Sequence, residues 1–144
     1  MIPASFEYER ADSVAHAVEL LGQGGEGARI LAGGHSLIPL MRLRLARPSL
    51  LVDISRVAEL SYIREEGDEV AIGAATRHHD VATSALLQEQ YPILAGAAGG
   101  IGDPQVRHMG TIGGSVAHGD PVADEPAVLM ALDARMVVTG SGGK

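Results

Sequence analysis

The stretch ILAGGHSLIPLM, residues 30–41, decides how the chain is read. It begins apolar at Ile30 and Leu31, bends at Gly33 and Gly34, passes His35 and Ser36, and enters an apolar run with helical spacing. A strand, a glycine bend and a helix start bring several backbone N–H groups to one point, an arrangement that holds an anionic group without a lysine. Glycine serves there because it accepts positive φ and lets an oxygen come close to the main chain. A Gly-Gly pair by itself is also an ordinary connection. The stretch gains weight from a second glycine-rich bend, MGTIGGSVAHGDPVAD, residues 109–124.

Outward from residues 30–41, the first third of the chain reads β-α-β-α-β. Residues 6–8 form a short strand, and Asp12 or Ser13 caps a helix whose Val14, Ala17, Val18 and Leu21 share one face. The segment GQGGEG, residues 22–27, matches the dinucleotide pattern G-x-G-x-x-G, but it follows a helix and precedes the strand 29–31, so it reads as a helix end and loop. Residues 37–45 make a helix stopped by Pro48, and 50–54 are a continuous apolar run suited to a buried parallel strand. Beyond a lobe boundary at 56/57, residues 60–65 and 69–73 form a hairpin, and Thr76 caps a helix carrying Val81, Ala82, Ala85, Leu86 and Leu87. An Ala/Gly-rich helix spans 93–98, residues 101–109 are irregular, 125–132 follow the second bend, and 134–139 read as a last strand. The ending GSGGK reads as a truncation.

Composition narrows the function. The chain has 144 residues, 46% of them hydrophobic, enough for a real core. The absence of cysteine rules out disulfides, thiolate-held zinc and an iron–sulfur cluster ligated by this chain, so any such cluster belongs to a partner. A formal charge of -7 and 3% aromatic residues argue against a nucleic-acid surface. No apolar run approaches the roughly 18 residues that span a bilayer, and MIPASFEYER lacks the order of a signal peptide, so the expected place is the cytoplasm.

Two glycine bends far apart in sequence suit a ligand with two phosphates held in a cleft between lobes. Gly33, Gly34, His35 and Ser36 would give one set of donors; Thr111, Gly113, Gly114 and Ser115 the other. Asp120 and Asp124 would repel phosphate but could accept from a ribose or ribityl hydroxyl, or instead cap the Asp-Pro turn and the following helix; for Asp120 the turn is favoured. His78 and His79 are adjacent and diverge on a helix, and His118 with Asp120 and Asp124 fits no strong metal template. Neither Ser36 nor Ser115 sits in a nucleophile elbow.

Taken together, AGGHSLIPLMRLRLARP followed by LVDI, and DPQVRHMGTIGGSVAHGDPVAD, closely resemble the medium, FAD-binding subunit of molybdenum-containing carbon monoxide dehydrogenases, within the xanthine dehydrogenase class of molybdenum hydroxylases. The similarity runs over the whole chain. It implies an α+β, two-lobed FAD-binding domain of the vanillyl-alcohol-oxidase (PCMH) type, with lobes at 1–56 and 57–144, the second incomplete and a C-terminal flavoprotein domain missing. It also implies that Ala32, Gly33, Gly34, His35 and Ser36, with Thr111, Gly113, Gly114 and Ser115, wrap the FAD pyrophosphate. By the same resemblance Asp124 binds the nucleotide or ribityl part and Ile101 packs near the flavin ring. Serine at 115 and histidine at 118 stand where relatives often carry asparagine.

The implied complex is a dimer of heterotrimers. A molybdenum-bearing large subunit oxidises the substrate, a small [2Fe-2S] subunit carries electrons to FAD, and FAD passes them to a quinone or another acceptor. Placement at the inner face of the cytoplasmic membrane would then come through partners. A non-catalytic nucleotide-binding or assembly module of the same fold stays open. So do medium subunits that serve an aldehyde, xanthine or aromatic acyl-CoA dehydrogenase, and, more distantly, an enolpyruvyl-sugar reductase.

Overall fold

Ser13 starts the first helix, its Oγ accepting from the His16 N–H at 3.1 Å. The structure, a computed structural model, describes residues 1–143. It is α+β, and its chain divides into two units, Met1–Glu59 together with the stretch that begins at Met136, and Leu60–Arg135. The expected boundary at 56/57 lies three residues earlier, and the expectation kept the final stretch in the second lobe.

In the first unit, β1 (Glu7–Arg10), α1 (Val14–Gly24), β2 (Ala28–Leu31), α2 (Leu37–Arg42) and β3 (Leu50–Asp53) follow the expected order. The three strands are parallel in the order β1-β3-β2, with Tyr8 and Arg29 both in register with Leu51. Crossovers of one hand that run in opposite directions along a sheet set their helices on opposite faces. The central strand agrees: Leu50, Leu51 and Val52 are all buried. Gly25, at φ 55, ends α1 by returning its N–H to the Leu21 carbonyl, so the GQGGEG match is a helix end leading into a 3-10 turn. Helix α2 stops at Arg42, short of the expected 45, because Arg44 takes φ 57 two residues later.

Asp53 closes β3 and fixes its far end. Tyr8 Oη donates to Asp53 Oδ2 at 2.5 Å, and the Ser55 N–H donates to Oδ1 at 2.8 Å. Burial opposes the charge on Asp53, but the bonds from Tyr8 and Ser55, with Arg10 nearby, outweigh it and hold the carboxyl below its ordinary 3.8. The same bond raises the Tyr8 hydroxyl.

The second unit opens with the hairpin β4 (Ile63–Glu66) and β5 (Glu69–Ile72), turned at Gly67 with φ 65. Helices α3 (His78–Thr83), α4 (Ala85–Gln90), α5 (Pro92–Gly100), α6 (Pro104–Arg107), α7 (Ile112–His118) and α8 (Asp124–Ala131) follow. Val81, Leu87, Leu94, Ala95, Ala98, Ile112 and Leu129 form its core. Ala95 and Ala98 are small enough to let the neighbouring helices close on α5.

Several expectations are corrected here. Thr76 does not cap a helix; its buried hydroxyl donates to the Tyr62 carbonyl and accepts from the Tyr62 N–H, which ties the segment to the hairpin. The one long helix expected after it is two, because Ser84 turns extended and caps α4 from its own side chain. Residues 101–109 hold a short helix, with Asp103 Oδ1 accepting from the Val106 N–H. Residues 134–139 are not a strand: no described segment pairs with them, and Met136, Val137 and Val138 stay exposed.

A folded Asp53 that holds its proton less tightly than an open-chain carboxyl adds stability that is complete above the ordinary value of 3.8 and fades as pH falls through the lower folded value. Tyr8→Phe should therefore lower the urea midpoint most at about pH 7, with the gap to the parent chain narrowing at about pH 3. A gap that keeps the same size across that range would remove the Asp53 charge from the account.

Candidate functional site

The two glycine bends differ in one physical respect: where their amides go. The first follows the carboxyl end of β2. Gly34 has φ 77, which favours glycine; a Cβ there would stand 2.6 Å from Ile38 Cδ1, the tip of an exposed side chain that can move aside. The Gly34 carbonyl accepts from the Ile38 N–H at 3.0 Å and so turns the chain into α2. Among the described residues, the N–H groups of Gly33, Gly34, His35 and Ser36 make no hydrogen bond, and neither do the His35 and Ser36 side chains. His35 is exposed, while Ala32, Gly33, Gly34 and Ser36 are half-buried. A cluster of free amides at the carboxyl end of a parallel strand has the donor arrangement that an anionic group needs.

The second bend is built differently. Residues 112–118 are helical, so Gly113 and Gly114 stand inside α7 instead of in a loop. Thr111 is the cap, buried, with its Oγ1 accepting from the Gly114 N–H at 3.1 Å. The Ile112 N–H goes to the Thr76 carbonyl, the Gly113 N–H to the Ala74 carbonyl and the Ser115 N–H to the Thr111 carbonyl. All four amides are thus used by the protein. What this bend can offer a ligand is the Thr111 N–H and hydroxyl proton and the Ser115 hydroxyl, none of them donating among the described residues. Gly113 is there for packing: a Cβ would meet the Ala74 carbonyl oxygen at 2.6 Å.

The remaining expected residues divide. Asp124 is exposed at the first position of α8, with Ala123 as the cap, so its carboxylate is not spent on the helix end. Asp120 makes the turn, its Oδ1 accepting from the Val122 N–H at 3.0 Å. Ile101 is half-buried just after α5, and its carbonyl accepts from Arg107 Nη1 at 2.9 Å, which pins the loop that carries it. A groove of about 560 Å³ lined by Ser5, Glu7, Leu20, Gln23 and Ser49 lies by the amino ends of β1 and β3, the opposite end of the sheet from Gly34. No helix is long and apolar enough to cross a membrane among the described residues.

Sequence reasoning missed His78 and Glu125, a buried pair joined at 2.9 Å between Nδ1 and Oε1. Glu125 sits four residues before the core Leu129, on an apolar stripe of α8. A carboxylate at that spacing calls for a buried partner, and that was the available signal.

Similarity to known proteins runs the full length. The family described as "FAD binding domain in molybdopterin dehydrogenase" matches residues 4–144. The chain is 53% identical to the carbon monoxide dehydrogenase medium chain of Hydrogenophaga pseudoflava, covering 100% of itself and 50% of that protein. It is 51% identical to the 6-hydroxypseudooxynicotine dehydrogenase complex subunit alpha of Paenarthrobacter nicotinovorans, covering 49% of it. The solved structure of the Hydrogenophaga pseudoflava carbon monoxide dehydrogenase that lacks the Mo-pyranopterin moiety superposes with a TM-score of 0.97 at 54% identity, over 99% of this chain and 50% of that one. The chain spans about half the length of the curated relatives it matches.

Gly113→Ala should destabilise the second unit by about 1–3 kcal/mol through overpacking against Ala74. Thermal unfolding without any ligand checks this, since the loss belongs to the fold; an unchanged midpoint would contradict the close approach.

Proposed function

The chain belongs to the family of FAD-binding domains of molybdopterin dehydrogenases, and from that membership we propose that it is the FAD-binding part of the medium subunit of an aerobic carbon monoxide dehydrogenase. The observation that carries the cofactor assignment is the set of free N–H groups at Gly33, Gly34, His35 and Ser36. They fit a phosphate oxygen, and they suit an acidic chain because they bring partial positive charge without a cation. Gly34, at φ 77, gives the bend a backbone conformation that other residues rarely adopt.

In this reading the first bend binds the FAD pyrophosphate through its backbone, while Thr111 and Ser115 add hydroxyl contacts. Asp124 accepts from a ribityl or ribose hydroxyl, and Ile101 gives an apolar wall near the ring. Bound FAD supplies a two-electron carrier between the iron–sulfur centres of a small subunit and a quinone or other acceptor. The residues of this chain do the holding and orienting; substrate oxidation belongs to a molybdenum-bearing large subunit. The expected assembly is a dimer of heterotrimers in the cytoplasm, reaching the membrane's inner face through partners.

The carbon monoxide assignment rests on the Hydrogenophaga relative. A relative named for a nicotine-derived substrate is almost as similar, which is expected if the large subunit selects the substrate. Anaerobic addition of carbon monoxide to the complete complex should bleach its flavin band. If an aldehyde or an N-heterocycle bleaches it and carbon monoxide does not, the family reading stands and the substrate changes.

FAD titration of the full chain tests the site itself. Gly34→Val should weaken binding by about tenfold or more, the scale of losing charge-assisted hydrogen bonds. An affinity equal to that of the parent chain would remove the first bend from the cofactor site.

A further inference from the structure

His78 opens α3 and is 5% exposed; Glu125, 47 positions away in the first turn of α8, is 0% exposed. Their Nδ1 to Oε1 bond leaves Glu125 Oε2 as the one buried side-chain polar atom without a partner among the described residues. The other ring nitrogen, His78 Nε2, also has no partner, yet it is not among the buried unpartnered atoms, so it keeps its contact with solvent. The carboxylate therefore grips the imidazole by one nitrogen and leaves the second without a protein partner among the described residues, as a second-sphere carboxylate does for a functional histidine.

That nitrogen lies next to the second bend. The His78 N–H donates to the Gly110 carbonyl at 3.1 Å, and Arg77 bridges to Thr111. A Cβ on Gly110 would stand 2.9 Å from Nε2, so glycine at 110 makes room for the ring. The amides of residues 112–115 are all taken, so beside the Thr111 N–H a phosphate at this bend would draw on side-chain donors. With Nδ1 turned to Glu125, Nε2 is the ring nitrogen left to donate, in the tautomer or imidazolium form that carries its proton.

We propose that His78 Nε2–H is a cofactor-binding donor to the FAD diphosphate at the second bend, with Glu125 as the positioning residue that sets the ring's orientation. The inference rests on the FAD reading above and adds to it a contact from a residue outside both glycine motifs.

Two substitutions separate binding from structure, because a glutamine amide reproduces the place of Nε2 and an asparagine amide that of Nδ1. In the full chain, His78→Asn should keep the link to Glu125 and the thermal midpoint of the FAD-free protein, yet raise the Kd for FAD by about tenfold. His78→Gln should lower the midpoint while holding Kd within about threefold of the parent chain. Parent-like FAD affinity in His78→Asn, or losses in both variants that track their midpoints, would overturn the proposal. A nitrogen NMR spectrum of the unsubstituted chain needs no variant: FAD should shift the His78 Nε2 resonance. Binding without that shift counts against the contact, whereas a parent chain that fails to bind FAD at all overturns the cofactor reading and this inference with it.

Discussion

A missing methyl group at Gly113 sets the geometry of the second unit. With no Cβ there, the start of α7 lies directly on Ala74, and the segments 74–78 and 110–113 exchange hydrogen bonds side by side. Everything near Thr111 depends on that contact. It brings Thr76 within reach of both the Ile112 N–H and the hairpin residue Tyr62, and it seats the His78 ring against Gly110. Glu125 then meets His78 from α8, so that four stretches distant in sequence are joined through polar groups that would be costly to bury singly.

The same accounting of donors separates the two bends. After Thr111 the chain uses the amides of residues 112–115 on itself and gains a fixed helix start. Around Gly34 the amides are left free, and the cost of that is low because the bend is half-open to water. Rigid where it packs and unsatisfied where it faces outward, the domain has a polarity set by backbone hydrogen bonds more than by charged side chains. That agrees with a chain whose net charge is negative although its proposed cofactor is an anion.

Much of this was legible in the residues. Alternating apolar runs and glycine doublets give the β-α-β-α-β order, and the uninterrupted Leu50-Leu51-Val52 run announces a strand buried on both faces. Gly34 marks the first bend because positive φ has a sequence signature. The second bend looked the same and is not, since Gly113 is a glycine of close approach whose reason is Ala74, nearly forty positions earlier and invisible to local pattern. Thr76 misled for a similar cause: a threonine before a helical pattern is usually a cap, and only the distant Tyr62 backbone made it otherwise. Ser84 broke a helix that its apolar spacing alone would have continued. Residues 134–139 had strand composition without a partner, and composition does not supply one. His78 was set aside as half of an adjacent histidine pair, when its relevant neighbour was Glu125.

The three-stranded sheet of the first unit ends on β1, whose four residues, Glu7, Tyr8, Glu9 and Arg10, are all exposed. An open parallel edge is an invitation to polymerise, since its unpaired N–H and C=O groups would accept another copy's strand. Here two carboxylates project from alternate positions of that edge. A second molecule stacking in register would bring each of them against its own duplicate, and the repulsion taxes self-templated growth while the strand stays free of proline and keeps its pairing with β3.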